Sequence, residues 1–290
     1  MGPGERQGNI VNAIQPSFIH PDKPDISTRP NLGAGRQPPK VHRQRQQTPP
    51  VHALHHGRPP KSKDNGPSTV LRAIMTKRKV YLDMEDFHKA LRLLDAKLGT
   101  DPMIMAFAPI RMIVAGGFFS VMYLKNRKTT TDMDFLLDPE WANDEDIKVP
   151  LQKSIREVAN EAHYMEDWAN EDVGVFVTEK TRKILMEDAI KQNIVLWASG
   201  TLLVFAAPVE WALERKLRRI YCAERGRKAE LDLADAVAML KFMKERKGSK
   251  LDMEYCRTLN KNGFDVMPDV DTMNCVAAAY KATYGVDVFL

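Results

Sequence analysis

Asp132-Met133-Asp134, followed at once by Phe135-Leu136-Leu137, sets two carboxylates two residues apart at the start of an apolar run. On a strand, alternate side chains share a face, so both acids point the same way. Two acids held side by side repel each other unless a cation lies between them. Mg²⁺, with Mn²⁺ as the alternative, suits hard carboxylate oxygens completed by substrate phosphates. Upstream, another apolar run ends in Gly116-Gly117, a pair that lets backbone approach a phosphate closely. These parts together imply a site for a nucleoside triphosphate and a metal.

The elements around this block must hold it in place. Arg111 to Ala115 is a short apolar strand, Phe118 to Leu124 a helical turn or two, and Met133 to Leu137 the acid-bearing strand, ended by Asp138-Pro139. Residues 84–98 carry apolar positions at three- and four-residue spacing behind Asp83 as N-cap. Residues 150–164 form a second helix with Pro150 in its first turn. Val173 to Val177 is a strand, and Thr178 caps a helix over about 179–191. Ile194 to Ala198 and Leu202 to Ala206 flank Ser199-Gly200 as a tight hairpin. Pro208 opens a helix to about Arg225, Gly226 breaks it, and helical stretches follow near 229–246, 250–260 and 270–283. The order gives an α+β fold, a small mixed sheet with a helical end: residues 67–207 form the α/β core and 208–290 a C-terminal helical subdomain.

The segment from Ile113 to Pro139 resembles the nucleotidyltransferase superfamily that contains DNA polymerase β, whose signature is a strand, a Gly-Gly or Gly-Ser turn, a short helix and an Asp-x-Asp strand. It is most similar to the minimal nucleotidyltransferases of the bacterial abortive-infection toxin type, with Gly116, Gly117, Arg127, Thr131, Asp132 and Asp134 on their pattern. Lys216 in WALERKLRRI and Asp232 in RKAELDLADAVAML look like a later lysine–aspartate element of those families. The likeness covers about half of the chain. It implies that Asp132 and Asp134 hold Mg²⁺ and that Gly116 and Gly117 bring N–H groups to the triphosphate. Ser120 adds a hydroxyl to the phosphates, although Phe118 and Phe119 separate it from the glycines, where the superfamily's serine follows directly. Arg127 orients its loop or reaches a phosphate. Thr131 braces Asp132. Lys216 meets a phosphate as a point charge, and Asp232 bonds Lys216 or joins the site. A third carboxylate should act as base toward the attacking hydroxyl, and Asp172 is the candidate, with Glu171 beside it.

Each assignment has a plainer counterpart: solvated acids at a strand entrance, a tight turn, an exposed basic loop, a solvated helix face. Asp232 and Asp235, three apart, share one face of a helix whichever holds. The four tryptophans read as core or rim rather than base-stacking platforms.

The chain has 290 residues and a formal charge of +5. Residues 1–66 hold 10 Lys/Arg against 4 Asp/Glu, along with 11 of the 18 prolines and 5 of the 7 histidines. The basic balance therefore belongs to this segment and not to the rest. Poor in apolar residues, it reads as a disordered tail able to touch nucleic acid weakly. Cys222, Cys256 and Cys275 are dispersed with no Cys-x-x-Cys, which speaks for a reducing compartment and against a zinc site. No apolar run reaches a membrane-spanning length of ~18 residues, and no charged-then-apolar leader opens the chain. The cytosol or nucleus is the expected location. Two functions compete. One is transfer of an NMP from an NTP to a hydroxyl on an RNA end, a protein or a small molecule. The other is an inactive descendant that binds a nucleotide or a protein partner.

Overall fold

Met133–Leu137 forms a strand, β2, because its alternate residues have two different cores to fill. Met133, Phe135 and Leu137 enter one apolar cluster and Leu136 another. A computed structural model describes residues 77–222, 227–263 and 266–290. They belong to the unit Gly66–Leu290, inside which the expected division at 207/208 falls. The basic segment 1–66 lies outside the described residues.

The fold is mixed α+β, built on a five-stranded mixed sheet ordered β3-β2-β1-β5-β4. β1 (Ile110–Ala115) runs antiparallel to β2, with Ala115 opposite Asp134, and parallel to β5 (Leu202–Ala206). β3 (Ala169–Asn170) pairs parallel with β2, and β4 (Val195–Ala198) forms the expected hairpin with β5.

Helix α1 (Met84–Leu98) begins at a capping box. Asp83 accepts from the Asp86 N–H while Asp86 accepts from the Asp83 N–H. It and α4 (Glu145–Ala162) cover one face of the sheet with Phe87, Leu91, Leu94, Leu151, Ile155 and Val158. Between α1 and β1 lies α2 (Pro102–Phe107), capped by Asp101, a helix the sequence reading omitted. After β1 comes α3 (Gly116–Phe119), prolonged by a single π turn, Ser120–Leu124.

The other face carries Ile113, Ala115, Leu136 and Phe205 against α5 (Glu179–Gln192), capped by Thr178, and against Trp211 of α6 (Val209–Tyr221). α7 (Arg227–Lys247), α8 (Met253–Arg257) and α9 (Val270–Tyr284) build a third cluster with α6 through Leu213, Leu217, Leu240, Met273 and Tyr280. No helix among the described residues is long and apolar enough to cross a membrane.

Three elements differ from expectation. Val173 to Val177 is not a strand: residues Asp172–Phe176 form a 3-10 turn, and the strand beside β2 is Ala169–Asn170. The reason is a side chain. Glu171 Oε1 accepts the Leu137 N–H at 3.1 Å and also holds Arg182, so it occupies an edge donor that a longer β3 would compete for. The second helix starts at Glu145 behind an Asp144 cap, so Pro150 lies inside it and not in its first turn. The helix opened by Pro208 ends at Tyr221, short of Arg225.

Candidate functional site

The antiparallel β1–β2 pair delivers both halves of the site to one end of the sheet, where β1 finishes and β2 begins. The strand alternation that buries Leu136 under α5 and α6 turns Asp134, and Asp132 before it, to that same face. Opposite Asp134, β1 ends at Ala115 and the chain turns through Gly116 at φ +69°. The Asp134 carboxylate lies over this turn, for a Cβ on Gly116 would stand 2.8 Å from Asp134 Oδ2. Gly117 lies closer still to Thr130, for a Cβ there would overlap its Oγ1, and the Thr130 N–H and C=O are both bonded to Leu82.

Both acids are half-buried, and burial pushes both carboxyls above their ordinary range. For Asp132, repulsion from Asp134, Asp167 and Asp172 adds to the rise, and the Thr131 side chain, hydrogen-bonded to it, partly offsets this. The Asp134 carboxyl is drawn back by three cations of α6, Arg215, Arg219 and Lys216, with Asp172 acting against them. A carboxylate pair that strains against burial and self-repulsion is what a divalent cation relieves. The donor chemistry fits Mg²⁺, which uses one or two protein carboxylates and takes its other oxygens from water and phosphate. Asp132 and Asp134 are the residues that would hold it. Among the described residues no three His, Cys, Asp or Glu side chains converge on one point.

A pH dependence follows. Metal binding needs both carboxylates ionised, so Mn²⁺ affinity measured by electron paramagnetic resonance should fall on mild acidification, beginning above the ordinary carboxylate range of about 4. Asp134→Asn should leave only weak binding, with its pH step shifted downward because Asp132 has lost one source of repulsion. For the protein without metal the sign reverses. A carboxyl raised by folding is comfortable when neutral, so this pair favours the fold at low pH and costs stability as pH rises through the raised values. Affinity that is flat through the mildly acidic range would mean the metal is held elsewhere.

Asp172, the expected third acid, opens the 3-10 turn and is exposed, its N–H bonded to Asn170 Oδ1. It acts on both Asp132 and Asp134 through space. In strand register, the residue beside Asp134 is Asn170, an amide. Glu171 is spent on Leu137 and Arg182. Beneath the β3 edge lies a cavity of about 460 Å³ with an apolar floor of Phe135, Leu137 and Leu151, and Asp167, Asn170 and Asp172 on its rim.

Ser120 is fully buried, and its hydroxyl donates back to the Gly116 carbonyl at 3.3 Å, so it serves the turn rather than the cleft. Arg127 is not on an exposed basic face. Its guanidinium forks onto Asp235 at 2.7 and 2.5 Å, and Asn126 reaches the same carboxylate at 2.9 Å. Lys216, 3% exposed, lies between Asp232 at 2.7 Å and Asp235 at 2.6 Å, and Arg219 reaches Asp232 at 2.7 Å. The lysine–aspartate contact expected from sequence is therefore present, inside a chain of charges running Arg127–Asp235–Lys216–Asp232–Arg219.

Asp235, the buried centre of this charge chain, is the residue that sequence reasoning passed over as a neighbour of Asp232. Burial alone would raise its carboxyl, but Lys216 and Arg127 outweigh burial and hold it below the usual range. Lys216 shows the converse, its ammonium depressed first by burial and then by Arg219, with Asp235 and Asp232 restoring only part. Full burial of one of two acids spaced three apart was the only local signal, and it is not visible before folding. No protein-family model, no curated protein and no solved structure matches this chain.

Proposed function

We propose that this chain is a Mg²⁺-dependent nucleotidyltransferase of the polymerase-β-like type, moving an NMP from an NTP to a hydroxyl acceptor. The acceptor classes are an RNA end, a protein side chain and a small molecule. One observation carries the reading: Asp134, two residues along from Asp132 and seated against the Gly116 turn, and the cations Arg215, Arg219 and Lys216 of α6 act on each other through space. Acids that need a cation, faced by cations that need an anion, match a metal–triphosphate in both halves. Strand, Gly-Gly turn and acid-bearing strand follow in the order of the nucleotidyltransferase fold.

In this reading Asp132 and Asp134 hold Mg²⁺, which when bound neutralises phosphate charge and orients the nucleophile. Gly116 and Gly117 leave room for backbone beside the phosphates. Thr131 keeps Asp132 in place, and Asp172, exposed and acting on both acids through space, is the base an acceptor hydroxyl would meet. Lys216 and Asp232 shape the basic wall.

A second reading has its own observation. With Asn170 beside Asp134, the sheet offers an amide where a third carboxylate would complete the set. This favours a chain that binds a nucleotide, or a protein partner, without transferring the nucleotidyl group.

Calorimetric titration of ATP, GTP, CTP and UTP with Mg²⁺ tests both. Binding of at least one nucleotide is expected, lost in Asp132→Asn/Asp134→Asn. Transfer of labelled NMP to any acceptor then selects the enzyme, and binding without transfer selects the second reading. A folded wild type that takes up no nucleotide sinks both nucleotide readings.

A further inference from the structure

We infer that Arg215, and not Lys216, is the residue of α6 that grips the polyphosphate of the substrate, with Arg219 at the mouth. The inference rests on the nucleotide reading above and assigns the partner of its basic wall.

The placement is geometric. Trp211, Arg215 and Arg219 follow one another at four-residue spacing and so share one face of α6. Trp211, 1% exposed, packs with Ile113, Ala115 and Leu136, the apolar residues on the acid-bearing face of β1 and β2. The face of α6 that follows Trp211 is thereby laid toward Asp134. The Arg215 guanidinium stacks on the Trp211 ring at 4.9 Å, which fixes its direction without neutralising it.

The two neighbouring cations differ in what they already hold. Lys216 is buried against two carboxylates at 2.6 and 2.7 Å. Three donors on a compact ammonium are largely used by these contacts, and a phosphate would have to displace Asp232 or Asp235 to reach it. Arg219, with half of its side chain exposed, spends one nitrogen on Asp232. Arg215, only partly exposed, makes no hydrogen bond and no ion pair among the described residues; Asp134, Glu214 and Asp232 act on it only through space. A half-buried guanidinium with five donors and no protein acceptor has its donors available to an anion. Its planar fork suits two oxygens of one phosphate.

The assignment is tested with inorganic tripolyphosphate and Mg²⁺, which carry the anion chemistry without a base or ribose, titrated beside the four NTPs. The proteins are wild type, Arg215→Gln, Arg215→Lys and Lys216→Met, each also followed by thermal unfolding. Arg215→Gln should weaken tripolyphosphate and NTP by about ten- to a hundredfold, with a midpoint unchanged or raised, because a charge without a partner has been removed. Arg215→Lys should recover part of the affinity, since it keeps charge and loses the fork. Lys216→Met should mainly lower the midpoint. If Arg215→Gln binds as wild type, or loses affinity only in step with its unfolding, the assignment is overturned while the nucleotide reading stands. If wild type binds neither tripolyphosphate nor any NTP, the nucleotide reading itself has failed and this assignment goes with it.

Discussion

Asp235→Ala should destabilise the fold by about 3–5 kcal/mol, the range seen when one partner of a buried ion pair is removed. Asp235 is fully buried and receives Arg127 through two nitrogens, Asn126 through its amide and Lys216 through its ammonium. Removing it leaves Arg127 with no carboxylate and Lys216 with Asp232 alone. Asp235→Asn keeps the volume yet turns an NH₂ toward cationic donors, so it should lose nearly as much. Equilibrium urea unfolding at neutral pH measures both. For a unit of this size the loss corresponds to a fall in midpoint of roughly 10 °C. The pH sign is fixed by the depressed carboxyl. Its contribution is complete above the ordinary carboxylate range of about 4 and disappears as pH falls through the lower folded value. Wild type and Asp235→Ala should therefore converge in stability under strong acid. The double variant Arg127→Met/Asp235→Leu should lose less than the two single losses added, since it removes the orphaned charge with its partner. A loss for Asp235→Ala under about 1 kcal/mol, the value typical of exposed pairs, would show that the network is solvated.

That network also explains which parts of the molecule could be read from sequence. Local signals were legible. Asp83 announces α1 as its N-cap, Thr178 announces α5, and Asp132-Met133-Asp134 opens the apolar run that becomes β2. The Lys216–Asp232 contact was within reach because sixteen residues and one helix break separate them. Arg127 and Asp235 are 108 residues apart, and nothing in either segment names the other. The misread strand at Val173–Val177 shows the same limit in reverse. Its alternating β-branched residues have strand propensity, yet Glu171 takes an edge N–H of β2, and Val175 and Phe176 end 84% and 63% exposed. A tertiary bond from one side chain overrode five residues of propensity. Pro150 misled differently. A proline marks a helix start on average, but the Asp144 cap and buried Ile147 supply the turn before it.

The loop between α3 and β2 is therefore tied at several points: Arg127 to Asp235, Thr130 to Leu82 by two backbone bonds, and Thr130 against Gly117. Such ties fix where Asp132 enters β2, and a site of this kind acts mostly by placement. Arg127, with its guanidinium forked onto Asp235, braces the loop that carries it.

Gly116→Ala and Gly117→Ala should each abolish Mg²⁺-dependent nucleotide binding, for two different reasons. Gly116 adopts φ +69°, which costs a residue with a Cβ about 1–2 kcal/mol, and the added carbon would press on Asp134 Oδ2. The damage falls on a proposed metal ligand directly. At Gly117 the backbone φ is not in the left-handed region. There the added carbon would overlap the Thr130 hydroxyl and stand 2.6 Å from its Cβ. Thr130 cannot retreat without breaking its backbone bonds to Leu82, so relief requires the loop to move, and Asp132 lies two residues along it. Overpacking of this kind costs roughly 1–3 kcal/mol, which leaves the protein folded and its site displaced. Gly117→Ala/Thr130→Gly removes the clash and should restore binding, whereas Thr130→Gly should do nothing for Gly116→Ala. Calorimetry of the four variants with the preferred nucleotide separates the cases. Binding in Gly116→Ala equal to wild type would show that Asp134 need not stand where it does, and the metal assignment would have to move away from it.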